Sequence, residues 1–169
     1  EVPANTWYLD LSLLEAYWDQ RRAYHHTAPI SMVYALHQCL AVVLEEGLEQ
    51  RWARHERNGR ALQAGLEAMG LTLHADDGYR LPVLTTVRIP DGVNDGEVRG
   101  ALLKRHSIEI GGGLGDLRGK VWRVGLMGES STEGNVLLFL SSLGRILREQ
   151  GVKADIRAGV EAASERLRA

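Results

Sequence analysis

A hydroxyl-rich junction at residues 24–31 leads directly into a long apolar-periodic segment. It reads Tyr-His-His-Thr-Ala-Pro-Ile-Ser, and a helix that begins at a hydroxyl residue presents unpaired N–H groups and the positive end of its dipole. Such an end can bind an anion, phosphate above all. The ordinary interpretation is a structural N-cap, with Thr27 as the cap and Pro29 in the first turn. The local chemistry alone favours a structural N-cap, but it excludes neither the N-cap nor the anion-binding site.

A second candidate is Arg123, which lies in the predicted strand 121–126. Alternation puts the large apolar residues on one face and Arg123 on the other, beside Gly125, which has no side chain. A guanidinium with room beside it can bind a small carboxylate through two hydrogen bonds. The alternative is a solvated arginine on an exposed strand face, and spacing alone favours that alternative.

The histidines and the glycine-rich run carry weaker signals. His25 and His26 are adjacent, so their side chains are expected to point in different directions in a strand or a helix. The other histidines lack ligand spacing, and no metal site is predicted. The run 111–115 lacks the Walker spacing, since Lys120 is followed by Val121. We interpret this run as a tight connection between two strands.

Composition predicts a soluble globular protein. The chain has 169 residues, of which 44% are hydrophobic and 25% charged. Its formal net charge of −2 gives no electrostatic reason to expect nucleic acid or a membrane as a partner. The single cysteine, Cys39, is predicted to be a buried structural thiol in a cytoplasmic protein. Because the first residue is Glu1 and not Met, we expect a fragment of a longer protein.

Hydrophobic periodicity predicts the helices that would position these residues. Three come first, at 7–20 with Asp10 or Ser12 as the cap, and at 28–46 and 48–69 with a bend at Gly47. Gly70 is expected to end the third helix. Later helices are predicted from the Asn94 cap to about residue 106, from a Ser130 cap onward, and in a tail beyond residue 151.

Strands are predicted between these helices at 71–73, 81–89, 108–110 and 121–126. Helices and strands in this order favour an α+β architecture, a small antiparallel or mixed sheet covered by helices.

Four motifs in this order resemble one family. They are 24–29, Leu-Glu-Glu-Gly-Leu-Glu at 44–49, Ile-Glu-Ile-Gly-Gly-Gly-Leu-Gly at 108–115, and Val-Trp-Arg-Val-Gly-Leu-Met-Gly at 121–128. Together they resemble the alanine–glyoxylate and serine–pyruvate aminotransferases, which are class V, fold type I enzymes dependent on pyridoxal 5'-phosphate (PLP). The likeness covers about residues 6–150, and the tail adds nothing recognisable.

The resemblance implies roles for three residues. Tyr24 and Thr27 correspond to a pair that reaches across a dimer interface to the PLP phosphate of the other subunit. Arg123 corresponds to the residue that binds the α-carboxylate of the amino acid or keto acid. No catalytic residue is expected in this chain, because the family's Schiff-base lysine lies upstream and no lysine present has a matching context. The fragment alone is therefore expected to be inactive.

The resemblance also implies an organisation and a reaction. Residues 1–46 would end the large cofactor domain and begin the linking helix, 47–150 would form the C-terminal small domain, and 151–169 a helical tail. The intact protein, including its N-terminal part, would be a homodimer that transfers an amino group from alanine or serine to glyoxylate or pyruvate. Ureidoglycine also remains open as a donor. The alternative is a non-enzymatic α+β module that dimerises or binds a partner through its amphipathic helices.

Overall fold

The computed structural model describes residues 6–168, whose contacts form two compact units divided between Glu45 and Glu46. The first unit contains helix α1 (Leu11–Trp18) and most of helix α2 (Ile30–Glu46). Asp10 caps α1, because its carboxylate accepts the Ser12 N–H at 2.9 Å. The structure thus selects Asp10 over Ser12 as the cap.

Helix α2 has no buried side chain, although its sequence is strongly apolar. Cys39 is exposed, so its predicted burial is wrong. Hydrophobic periodicity indicates that a helix has an apolar face, but it does not indicate which part of the protein, if any, covers that face. The helix also starts later than predicted, at Ile30, and the Pro29 carbonyl accepts the N–H groups of Met32 and Val33.

The second unit has the predicted α+β architecture. Its three-stranded sheet is antiparallel, in the order β1–β3–β2. The helices and strands are α3 (Leu48–Ala68), β1 (Leu84–Arg88), α4 (Asp95–His106), β2 (Gly111–Gly112), β3 (Val121–Gly125), α5 (Glu133–Glu149) and α6 (Ile156–Arg168). Short 3-10 turns lie at Asp77–Tyr79, Gly115–Leu117 and Gly128–Ser130.

Glycines end two helices where the sequence predicts. Gly47 has φ +82° and separates α2 from α3, and Gly70 has φ +89° just after α3. The Gly70 N–H donates to the Glu67 carbonyl at 2.9 Å and the Leu71 N–H to the Leu66 carbonyl at 3.0 Å. This pair of bonds is a Schellman motif, which needs a left-handed residue at that position.

Side-chain caps begin the later helices. Asn94 caps α4 as predicted, accepting the Glu97 N–H at 3.1 Å. The cap of α5 is Thr132, whose hydroxyl accepts the Asn135 N–H at 3.2 Å. The prediction of Ser130 as this cap is wrong, because Ser130 belongs to the preceding 3-10 turn.

The strand predicted at 108–110 is displaced to β2. Ser107 adopts φ +55°, and the Ile108 N–H donates to the Leu102 carbonyl at 3.2 Å. These residues complete the C-terminus of α4, so pairing with β3 begins only at Gly111. Part of the glycine-rich run is therefore a strand and not a connection.

The core lies between one face of the sheet and the helices. Val87 and Trp122 are completely buried on that face, against residues such as Leu62 of α3 and Leu140 of α5.

Within residues 6–168, no helix has both the length and the hydropathy needed to cross a membrane.

Helix α6 packs against α3 and α5. A methyl group added at Gly159 would lie 2.2 Å from Met69 Cγ and 2.8 Å from the Gly65 carbonyl oxygen. The backbones of α3 and α6 are therefore in direct contact, which only residues without side chains permit.

Candidate functional site

Arg123 lies at the centre of β3, on the face of the sheet opposite the core. Its cross-strand neighbours are Thr86 of β1 and Gly111 of β2. Arg123 is partly exposed, while Trp122 and Val124 on either side are buried. The predicted assignment of faces in this strand therefore matches the structure.

The guanidinium of Arg123 lies over a glycine of the neighbouring strand. Its Nε donates to the Gly112 carbonyl at 2.8 Å. A methyl group added at Gly111 would lie 3.1 Å from Nη2 and 3.5 Å from Cζ. The sequence predicted room beside Gly125, but a methyl group there would meet Met127 Cε at 3.1 Å. Gly111, which the sequence analysis missed, provides the space.

Arg123 differs from Arg99 and Arg105 of the same unit in its partners. Arg99 binds Asp95 at 2.8 Å and Arg105 binds Glu149 at 2.7 Å. Among residues 6–168, Arg123 forms no ion pair and bonds only to the Gly112 carbonyl through Nε. Its two terminal nitrogens are therefore available to a carboxylate, in the bidentate geometry that arginine favours.

The second predicted pair, Tyr24 and Thr27, lies in the first unit just before α2. The Tyr24 Oη and Thr27 Oγ1 are 2.8 Å apart, and both residues are exposed. Thr27 is not the N-cap of α2, because that helix begins three residues later. The structure thus brings these two hydroxyl groups together, whereas Arg123 belongs to the other unit.

The chain is similar to several aminotransferases of known identity. It is 46% identical over 160 residues to the (S)-ureidoglycine–glyoxylate transaminase of Bacillus subtilis, covering 95% of this chain and 37% of that protein. The crystal structure of the Bacillus subtilis ureidoglycine–glyoxylate aminotransferase matches 99% of this chain and 43% of its own, with a TM-score of 0.93 and 42% identity. The alanine–glyoxylate aminotransferase structure from Nostoc sp. matches 88% of this chain and 39% of its own, with a TM-score of 0.82 and 50% identity.

This chain belongs to the class V PLP-dependent aminotransferases. It matches the C-terminal part of these longer proteins, and it spans less than half the length of the curated relatives it matches. No family model matches the chain. The similarity extends past residue 150, where the sequence analysis ended it, because the Bacillus subtilis structure covers nearly all residues.

The two hydroxyl groups of Tyr24 and Thr27 fit the phosphate of PLP. Both are exposed, and at 2.8 Å one of them donates to the other; both donate to one anion when that proton turns away from the pair. Among residues 6–168, no group of three or more His, Cys, Asp or Glu side chains is arranged to hold a metal ion.

A partly buried network of hydrogen bonds fixes β3 to α4. Trp122 Nε1 donates to Asp95 Oδ1 at 2.9 Å, and Arg99 Nε donates to the same oxygen at 2.8 Å. The hydrogen bond from Arg99 lowers the pKa of Asp95, and that from Trp122 lowers it further. The carboxylate is therefore charged at neutral pH, and it holds the strand that carries Arg123.

The loop that follows β3 is tied to α3 by an arginine. Arg54 donates to the carbonyls of Gly128 at 3.0 Å and Ser131 at 2.7 Å. Its other nitrogens bind Glu46, which also accepts from Arg51 at 2.7 Å. The hydrogen bond from Arg54, reinforced by Arg51, lowers the pKa of Glu46 from 4.5 to about 2. Glu46 belongs to the Leu-Glu-Glu-Gly-Leu-Glu motif, and this contact gives the motif a structural role.

Two further residues of α3 hold the same loop. His55 Nδ1 donates to the Arg51 carbonyl at 2.7 Å, so its Nε2 can accept the Gly128 N–H at 2.9 Å. Asn58 Nδ2 donates to the Ser131 carbonyl at 2.9 Å. The sequence analysis missed these residues. The available signal was a polar stripe at positions 51, 54, 55 and 58, which share one helix face.

The histidine pair of the first unit also departs from expectation. His25 Nδ1 and His26 Nδ1 lie 2.8 Å apart, although adjacent side chains were expected to diverge. His25 is 4% exposed, and its ring stacks on that of Trp7 with centroids 4.1 Å apart. The segment has no regular secondary structure, so neither the strand nor the helix alternation applies.

Proposed function

We propose that the intact protein is a PLP-dependent aminotransferase that transfers an amino group from a small amino acid, alanine or serine, to glyoxylate or pyruvate. The observation that carries this proposal is the partly buried Arg123, whose terminal nitrogens have no partner among residues 6–168. The relatives' names support glyoxylate as the acceptor and keep ureidoglycine, already open from the sequence, as a donor to test.

Each proposed role follows from the chemistry of one group. Arg123 binds the α-carboxylate and orients the substrate, because a guanidinium matches two carboxylate oxygens. Tyr24 and Thr27 donate hydrogen bonds to the PLP phosphate of the other subunit in a homodimer. PLP, when bound, supplies an electron sink for the bonds around the substrate Cα. This chain alone is inactive, because the Schiff-base lysine belongs to the N-terminal part of the protein.

The proposed domain organisation follows the same relationship. Residues 1–46 end the large cofactor domain and begin the linking helix, 47–150 form the small domain, and 151–169 form a helical tail on it. The φ of +82° at Gly47 supports a boundary there, because it interrupts the helix. We also propose that the protein is cytoplasmic.

The test uses steady-state kinetics of the full-length enzyme with Arg123→Ala and Arg123→Lys. Loss of a desolvated charge pair costs about 2–5 kcal/mol, so kcat/KM for amino and keto acids should fall by about 30- to 4,000-fold in the alanine variant. Arg123→Lys should recover only part of this loss, because lysine cannot bind both oxygens with a planar fork. The matched control is Arg105→Ala, since Arg105 forms an exposed ion pair with Glu149.

An unchanged kcat/KM in Arg123→Ala would refute the role of Arg123. The donor is identified by comparing alanine, serine and ureidoglycine at fixed glyoxylate. The non-enzymatic alternative predicts a full-length protein that binds no PLP, which its visible spectrum and intact mass would reveal.

A further inference from the structure

We propose that His25 and His26 form a positioning pair that holds the hydroxyl groups of Tyr24 and Thr27 in the geometry that binds phosphate. This inference rests on the proposed function, because it assumes that these hydroxyl groups meet the PLP phosphate. The pair itself touches neither the phosphate nor the reacting atoms. Its role is to hold the conformation of a segment that backbone hydrogen bonds do not hold.

The segment between α1 and α2 has few backbone hydrogen bonds of its own. The Ala23 N–H donates to the Ala16 carbonyl at 3.0 Å, and the next backbone donor is Ile30, which bonds to Ala28 at 2.8 Å. Among the described residues, no backbone N–H from 24 to 28 donates to a backbone carbonyl. Side chains must therefore determine the conformation of the residues that carry the two hydroxyl groups.

His25 anchors the segment to the start of the first unit. Its Nε2 lies 3.0 Å from the Trp7 carbonyl oxygen, which can only accept, so Nε2 carries the proton. The ring also stacks on the Trp7 indole with an interplanar angle of 11°. In a neutral ring Nδ1 is then an acceptor, and the proton between the two histidines belongs to His26 Nδ1, 2.8 Å away.

His26 continues the contacts toward the hydroxyl pair. Its ring lies 5.5 Å from the rings of both Tyr8 and Tyr17, measured between centroids. Tyr17 in turn meets Tyr24 edge to face at 6.3 Å. These aromatic contacts set the direction of the Tyr24 side chain, whose Oη reaches Thr27 Oγ1.

A carboxylate interacts with the pair. Asp10, at the start of α1, interacts electrostatically with His25, but its carboxylate is hydrogen-bonded to Ser12. The Nδ1–Nδ1 contact needs one donor and one acceptor, so it exists only while at least one of the two rings is neutral.

The deciding experiment compares two substitutions of His26 in the full-length enzyme. His26→Asn keeps an N–H donor at the position of Nδ1, whereas His26→Phe keeps the ring and removes the donor. The apoenzyme is titrated with PLP and with pyridoxal, which has no phosphate. His26→Phe should weaken PLP binding by about tenfold, because the variant loses one hydrogen bond and the order that this bond gives to the segment. Pyridoxal binding should not change, and His26→Asn, which keeps the donor but loses the ring contacts with Tyr8 and Tyr17, should recover only part of the lost PLP affinity.

Two results would overturn the inference. In the first, His26→Phe binds PLP as tightly as the wild type. In the second, its affinities for PLP and pyridoxal fall equally, which indicates general damage and not a phosphate effect. Circular dichroism of each variant checks folding.

Tyr24→Phe, titrated in parallel, separates this inference from the proposed function. If Tyr24→Phe weakens PLP binding and His26→Phe does not, the positioning role fails and the phosphate site stands. If Tyr24→Phe leaves PLP binding unchanged, the proposed phosphate site fails and the inference fails with it.

Discussion

The contact between α3 and α6 gives a sharp test of the packing of the second unit. Gly159→Ala would put a methyl group 2.2 Å from Met69 Cγ and 2.8 Å from the Gly65 carbonyl oxygen. Met69 is itself buried and the clash lies at Cγ, close to its backbone, while the carbonyl belongs to the backbone of α3. The substitution therefore forces the two helices apart or bends one of them.

The expected magnitude combines two opposing effects. Overpacking a tight contact costs about 1–3 kcal/mol, and replacing a helical glycine by alanine returns up to about 1 kcal/mol. We expect Gly159→Ala to lower the free energy of unfolding by about 1–2 kcal/mol. Because α6 packs against both α3 and α5, the whole unit should unfold at a lower denaturant concentration.

Urea denaturation of this chain, followed by far-ultraviolet circular dichroism, measures the effect. The matched control is Gly100→Ala in α4, where an added methyl group meets no atom within 4 Å. That variant should gain up to about 1 kcal/mol from helix propensity. If both variants are stabilised equally, α3 and α6 do not approach each other at these glycines, and the reasoning is refuted.

Three further predictions concern the ties around β3 and α5. The pKa of Glu46 is lowered to about 2, so the stability it contributes is full above pH 4.5 and is lost as pH falls from 4.5 to 2. As the pH is lowered across that range, the urea midpoint should fall less steeply for Glu46→Gln than for the wild type. Equal slopes for the two proteins would contradict the Arg54 contact. Trp122→Phe should destabilise the unit by about 1 kcal/mol or more, because the Asp95 carboxylate loses a donor; unchanged thermal stability would contradict that bond. Thr132→Ala should cost about 1 kcal/mol of cap stability in the same urea assay, with Ser130→Ala close to wild type; the reverse order would restore Ser130 as the cap.

Features that depend on nearby residues could be predicted from the sequence. The Asn94 cap and the glycine after α3 involve partners within five residues along the chain. The face of Arg123 in β3 follows from alternation alone. Such features need no knowledge of which elements meet.

Features that depend on distant residues could not be predicted in this way. The 3-10 turn before α5 is held by Arg54 and Asn58, more than 70 residues earlier, so the start of α5 moved to Thr132. The space for the Arg123 side chain comes from Gly111, whose position opposite it depends on strand register. Periodicity describes one element at a time and contains no information on register.

The bond from Arg123 Nε to the Gly112 carbonyl has a consequence for selectivity between acids and amides. With Nε occupied, the guanidinium offers only the edge formed by its two terminal nitrogens. A carboxylate presents two acceptors to that edge, while the carboxamide of the same compound presents one acceptor and a repelling NH₂ group. The edge that would face an acid is thus selected by a backbone oxygen, which a residue of any type at that position would supply equally well. A comparison of the amino-acid types found at position 112 would therefore not reveal this role of the carbonyl oxygen.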